Sequence, residues 1–161
     1  MSLLLLGFIL LAGGCSSSVK STPEDKNITA IKTVLKHQFT GPTAEFIEGL
    51  DNTKKLEQYY EKSYKSFFTE DMYTKFISAH AYDYLLMAHN SEQQLKVDQV
   101  SVESDKTTEG TYKFKVVVLY DTEGTNQGSA EVSGRVKFNK EGKIASISYL
   151  DDGGLSTELR N

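Results

Sequence analysis

The 161-residue chain carries 18 Lys+Arg against 22 Asp+Glu, a formal net charge of −4 with the two signs interspersed. Nucleic-acid binding wants a basic stripe, so no nucleic-acid partner is expected. Two prolines and 39% hydrophobic residues exclude a disordered stalk, and a single cysteine leaves the fold to hold by its core alone. No internal repeat is found.

The chain opens Met1-Ser2-Leu3-Leu4-Leu5-Leu6-Gly7-Phe8-Ile9-Leu10-Leu11-Ala12-Gly13-Gly14-Cys15, followed by Ser16-Ser17-Ser18. The apolar run from Leu3 to Ala12 is shorter than the about 20 residues that span a bilayer, and it fits the about 7–15 of an export-signal core. Ala12, Gly13 and Gly14 carry almost no side chain, so extended backbone there can enter a narrow protease site. Leu11-Ala12-Gly13-Gly14-Cys15 resembles the lipobox of bacterial lipoproteins. The resemblance implies cleavage before Cys15 by signal peptidase II, and a diacylglyceryl group on its thiol that palmitate labelling would reveal. Two acyl chains of about a dozen buried methylenes each contribute on the order of 20 kcal/mol, which holds a protein at the membrane. Two features depart from the pattern: Ala12 stands where leucine is usual, and the residues before the apolar run, Met1-Ser2, lack Lys or Arg. The expectation is therefore that the true start lies upstream or that the chain has been trimmed. The plainer reading of the same stretch is an apolar helix or strand that buries Cys15.

Residues 1–14 are thus expected to be the signal peptide and 15–21 a lipid-attached tether. A single α+β domain is expected over 22–152, and a flexible tail over 153–161, loosened by Gly153-Gly154. Removing 14 of 161 residues leaves 147, enough for one domain and too few for a two-lobed solute-binding lipoprotein.

Thr22-Pro23-Glu24-Asp25 reads as a helix start, with Thr22 as cap and Pro23 in the first turn. Ile28, Ile31, Val34, Leu35 and Phe39 follow at helical spacing, and Thr40-Gly41-Pro42 ends the run. A short helical stretch over Pro42 to Leu50 carries Phe46 and Ile47. Thr53 is the expected cap of a helix bearing Leu56, Tyr59, Tyr60 and Tyr64. Thr69, with Glu70 and Asp71 behind it, caps another bearing Met72, Tyr73, Phe76 and Ile77. Ala79 to His89 either continues that helix or forms a separate segment packing Tyr82, Leu85 and Leu86. From Gln94 the period becomes two. Leu95 and Val97 alternate, then Val100 and Val102 on a shifted frame, which predicts a bulge near Asp98-Gln99. Tyr112 to Tyr120 is polar at one end and apolar on both faces at the other, where covering on both sides is expected. Ala130 to Phe138 is a half-solvated strand, Asn139-Lys140-Glu141-Gly142 a hairpin turn, and Lys143 to Leu150 the last strand.

Helices followed by four antiparallel strands make the class α+β: N-terminal helices packed on a curved, cone-like four-stranded sheet. The element order and the Tyr112–Tyr149 meander resemble the nuclear transport factor 2-like (cystatin-like) superfamily over Thr22 to Asp152. That superfamily hosts isomerases and dehydratases as well as plain binding modules, so the resemblance implies a fold and not a function. An isomerase-like member would place an acid or base in the cavity between helices and sheet. Tyr120, Asp121, His37, His80 and Asp83 are the nearest candidates, although Asp121-Thr122-Glu123-Gly124 is also ordinary turn chemistry. His80, Asp83 and His89 do not converge on one helix, since nine residues rotate His89 half a turn from His80. No catalytic residue, metal or cofactor is therefore expected.

The residues from Tyr59 to Tyr84 are dense in rings. Most serve the core, while Tyr59, Tyr60, Tyr73, Tyr82 and Tyr120 are the candidates for a ligand or partner surface. The expectation is a lipid-anchored, non-catalytic binding module on the extracytoplasmic face of a bacterial membrane, with membrane lipid through Cys15 and an envelope protein as partners. The alternative is a cavity protein that holds a small apolar molecule or acts on it as an isomerase or dehydratase.

Overall fold

A computed structural model describes residues 25–79, 83–121 and 128–160. The residues expected to form the signal and tether, with Leu11, Ala12, Gly13, Gly14 and Cys15, lie outside the described residues, as do Thr22, Pro23, His80 and Tyr82.

The first helix, α1 (Lys26–Gln38), is capped by Asp25, three residues after the expected start. The Asp25 carboxylate accepts from the Asn27 N–H at 2.9 Å and from the Tyr112 hydroxyl at 2.8 Å. One side chain therefore satisfies an orphan helix donor and also fastens the helix start to the sheet. Ile31, Val34, Leu35 and Phe39 are buried, as the helical stripe predicts. Gly41 then pairs with Leu95 through two backbone hydrogen bonds, joining the turn after α1 to the first strand.

Thr43 caps α2 (Ala44–Leu50). Asn52, one residue before the expected Thr53, caps α3 (Thr53–Tyr60) by accepting from the Lys55 N–H at 3.2 Å. A π-helical turn, Glu61–Lys65, follows. Across α3 and this turn Tyr59, Tyr60, Ser63 and Tyr64 are all buried. Thr69 accepts from the Met72 N–H at 3.3 Å and caps α4 (Glu70–Ala79) as expected. Leu85, in α5 (Asp83–Asn90), is fully buried.

Four strands form one antiparallel sheet in the order β1 (Gln94–Ser104), β2 (Thr111–Asp121), β3 (Gly128–Phe138) and β4 (Ile144–Asp151). The fold is α+β, with helices packed on the sheet. The register of β1 against β2 shifts between Val97 and Gln99, at the predicted bulge. Asn139 shapes the β3–β4 hairpin: its carboxamide oxygen accepts from the Glu141 and Lys143 N–H groups at 3.0 and 2.9 Å. At the start of β4, Ile144 exchanges backbone hydrogen bonds with Phe67 and Thr69, which covers that part of an otherwise open edge.

One face of the sheet supplies the core. Phe114, Val116, Val118, Val132, Val136 and Ile144 are 0–2% exposed and meet Phe39, Phe46, Tyr64 and Phe76 from the helices. Gly134 leaves the space that the Phe114 ring occupies, since a Cβ there would stand 2.4 Å from that ring. Among the described residues the other face does not receive the second covering expected for β2. Val117, between Gln99 and Glu131, and Leu119, between Lys96 and Ser129, are half-buried. Half-burial among cross-strand neighbours is enough to hold β-branched and apolar residues in a strand without another layer.

The expected flexible tail instead folds back. β4 ends opposite Ser133, half-way along β3, and the following residues run beside the remainder of that strand. Gly153 and Gly154 have φ of 59° and 82°, and a Cβ at Gly153 would lie 2.7 Å from the Glu131 carbonyl oxygen. The glycine pair thus makes a close left-handed turn that other residues resist. Asp152 accepts from the Gly154 and Ser156 N–H groups, and α6 (Leu155–Glu158) delivers Leu155 and Leu159 into the core.

Candidate functional site

The folded tail builds the candidate site. The C-terminal end of α1 brings up Gln38, whose side chain is fully buried and accepts a hydrogen bond from the Tyr149 hydroxyl. Phe39 follows, with its ring 5.0 Å from Tyr84 and 6.4 Å from Tyr149. Phe114 meets Tyr149 from β2 at 5.7 Å, edge to face. The two tyrosines are therefore held by packing on their inner sides, and each remains half-buried.

Outside them lies an open cleft of about 450 Å³. The α5 helix lines it with Asp83, Tyr84, Leu86 and Met87, and β4 adds Tyr149. Asp152, Ser156 and Arg160 come from the folded tail. Burial raises the Tyr84 phenol to about 12, and the Asp152 and Asp83 carboxylates add to the effect while Arg160 opposes it. Burial also holds the Tyr149 phenol far above its ordinary range. Asp152 is lowered, first by its hydrogen bond with Ser156 and then by backbone N–H donors and Arg160. Around neutral pH the cleft therefore presents neutral phenols beside an ionised Asp152. It suits recognition by aromatic contact and charge.

The predicted aromatic residues separate into different places. Tyr59 and Tyr60 are 6% and 4% exposed, and their rings lie 5.5 Å apart in the helical part of the core. Tyr60 also lines a groove of about 470 Å³ between α3 and α4, together with half-buried Tyr73 and Ile77. Tyr120 is half-buried near the end of β2, where its ring fills the space above Gly128. These four do not meet on one surface, and Tyr82 lies outside the described residues.

Of the acid and base candidates, Asp83 reaches the tyrosine cleft. Asp121 and His89 line another open cleft, of about 590 Å³, with Pro42 and Ile47. His37 makes a 2.9 Å contact from Nδ1 to the Ser63 carbonyl in the π-helical turn. Among the described residues no group of three His, Cys, Asp or Glu side chains is placed to hold a metal ion. The interior between helices and sheet is occupied by rings: Phe39, Phe46, Tyr64, Phe76 and Phe114 are each 0–2% exposed. Tyr64 is the polar exception. Its hydroxyl is buried without a hydrogen-bond partner among the described residues, and burial raises its phenol well above the usual range.

Sequence reasoning missed Tyr149 and Arg160. Tyr149 was read only as a strand residue, and Arg160 lies in the stretch expected to fray. The usable signal was Asp152-Gly153-Gly154, an acid before two glycines, which is also how a chain caps and turns into a helix. Comparison with protein-family models, with curated proteins and with solved structures returned no match.

Proposed function

We propose that this chain is a lipid-anchored extracytoplasmic lipoprotein whose domain recognises a cell-envelope partner without catalysis. The anchor reading is supported by Leu11-Ala12-Gly13-Gly14-Cys15 and the serines behind it. Among the described residues no helix is long and apolar enough to cross a membrane. The superfamily reading rests on element order, helices followed by a four-stranded meander.

The observation that carries the recognition role is the tyrosine cleft and its distance from the point of entry. From its cap at Asp25, α1 runs 13 residues before Gln38 and Phe39 meet Tyr149 and Tyr84. At 1.5 Å per residue the helix puts about 20 Å between its own start and the cleft. Fully extended, the residues from Cys15 to Asp25 add at most about 35 Å of reach. A domain on such a tether keeps its cleft close to the membrane and clear of the attachment point.

Palmitate labelling in a bacterial host, wild type against Cys15→Ser, tests the anchor. A photoreactive residue at Ser156, compared with one at Lys140 in the β3–β4 turn, tests the cleft in the same membranes. The expected result is label on the wild type alone and a discrete cross-link from position 156 alone. Unlabelled wild type overturns the anchor, and equal cross-linking from both positions overturns the recognition role of the cleft.

A further inference from the structure

We propose that the Tyr84–Tyr149 cleft is a site for a protonated primary amine, a lysine side chain of the partner being the fitting form. The inference rests on the reading of this cleft as the recognition surface, but not on acylation of Cys15.

Four observations carry it. Two tyrosine rings fixed from behind by Phe39 and Phe114 border the cleft, and aromatic rings attract cations through their quadrupole. Two carboxylates, Asp83 and Asp152, stand at the same cleft against one cation, Arg160, which leaves an excess of negative charge. Asp152 is fixed by the Gly154 and Ser156 N–H groups, so its position does not depend on the ligand. Leu86 and Met87 supply an apolar wall for the methylene stem that carries an ammonium group. A carboxylate ligand would meet Arg160 but also both aspartates, and a neutral alcohol would leave the charge excess unused.

The test is a methyl NMR titration of the full chain bearing Cys15→Ser and labelled at methionine. Met87 lines the cleft, and Met72, in α4, is the internal control. The probes are butylammonium, butyrate and butanol. Butylammonium is expected to shift the Met87 methyl saturably and leave Met72 unmoved, with butyrate and butanol several-fold weaker. Asp83→Asn should weaken butylammonium about two- to fivefold, and Arg160→Gln should strengthen it by a similar factor, as expected for charge effects at a partly exposed site. Added salt should weaken the binding. Asp83 and Arg160 are both exposed, and an unchanged Met72 signal reports that each variant is folded.

Stronger binding of butyrate, or weaker amine binding in Arg160→Gln, would overturn the proposal in favour of an anion site. Equal binding of butanol and butylammonium would reduce the cleft to an apolar surface. Either result leaves the palmitate and cross-linking outcomes standing on their own.

Discussion

Replacing Leu155 by alanine tests whether the C-terminal residues belong to the domain. Leu155 is 0% exposed, whereas Leu150, five residues earlier, is 65% exposed. The two substitutions delete the same atoms, one from a buried position in α6 and one from an exposed position in β4. Leucine to alanine in a core costs about 2–5 kcal/mol, the lost transfer energy plus a cavity term. Leu155 lies in a four-residue helix near the end of the chain, where neighbours can close in, so the lower part of that range applies, about 2–3 kcal/mol. Urea unfolding followed by far-ultraviolet circular dichroism reads it directly. With a slope of about 1–3 kcal/mol/M, the midpoint should fall by about 0.7–3 M. Leu150→Ala should change stability by less than about 0.5 kcal/mol. If the two variants unfold at the same urea concentration, Leu155 is not a core residue and the packed tail is wrong. A loss as large for Leu150 would show instead that the open side of the sheet is covered.

Asp25→Ala should cost about 1–2 kcal/mol, because it removes a helix cap and also the acceptor of the Tyr112 hydroxyl. Tyr112→Phe should cost less, since it leaves the cap intact; equal losses in chemical denaturation would mean that the cap contributes nothing. Tyr84 titrates at about 12 in the folded chain against an ordinary 10.0. A raised phenol keeps its proton longer in the folded state than in the unfolded one, so stability should decline as pH rises from about 10 to about 12. Tyr84→Phe should make that decline shallower in unfolding curves taken across the interval, and an unchanged slope would refute the assignment.

The strands were legible because a period of two leaves a plain trace. Tyr112 to Tyr120 and Ala130 to Phe138 alternate, and the slip from Leu95–Val97 to Val100–Val102 marked the bulge. Helix starts were legible only to within a few residues, because the deciding contacts are remote or depend on fine geometry. Asp25 serves as the cap of α1 in part because Tyr112, 87 residues away, fixes its carboxylate. Asn52 takes the cap next to Thr53 by accepting from the Lys55 N–H three residues on, the same contact that Thr43 and Thr69 make in their own helices. The π-helical turn has no signature in composition. It leaves no break in the spacing of Tyr59, Tyr60, Ser63 and Tyr64, which would share one face of a regular helix as well.

The candidate site was hidden for a different reason: its parts come from α1, α5, β4 and a segment that composition marks as loose. Gly153-Gly154 was read for the freedom glycine has in a disordered chain, while the fold uses the same freedom to reach positive φ beside the Glu131 backbone. Once that turn is made, packing and recognition become one problem. Leu155 and Leu159 hold α6 in the core, and Asp152, Ser156 and Arg160 ride on the same few residues to the rim of the cleft. Loosening α6 with Leu155→Ala should therefore shift the Met87 methyl even without ligand and weaken butylammonium binding, although Leu155 does not line the cleft. Leu150→Ala should do neither, which separates a site assembled by the tail from one that α5 and β4 make alone.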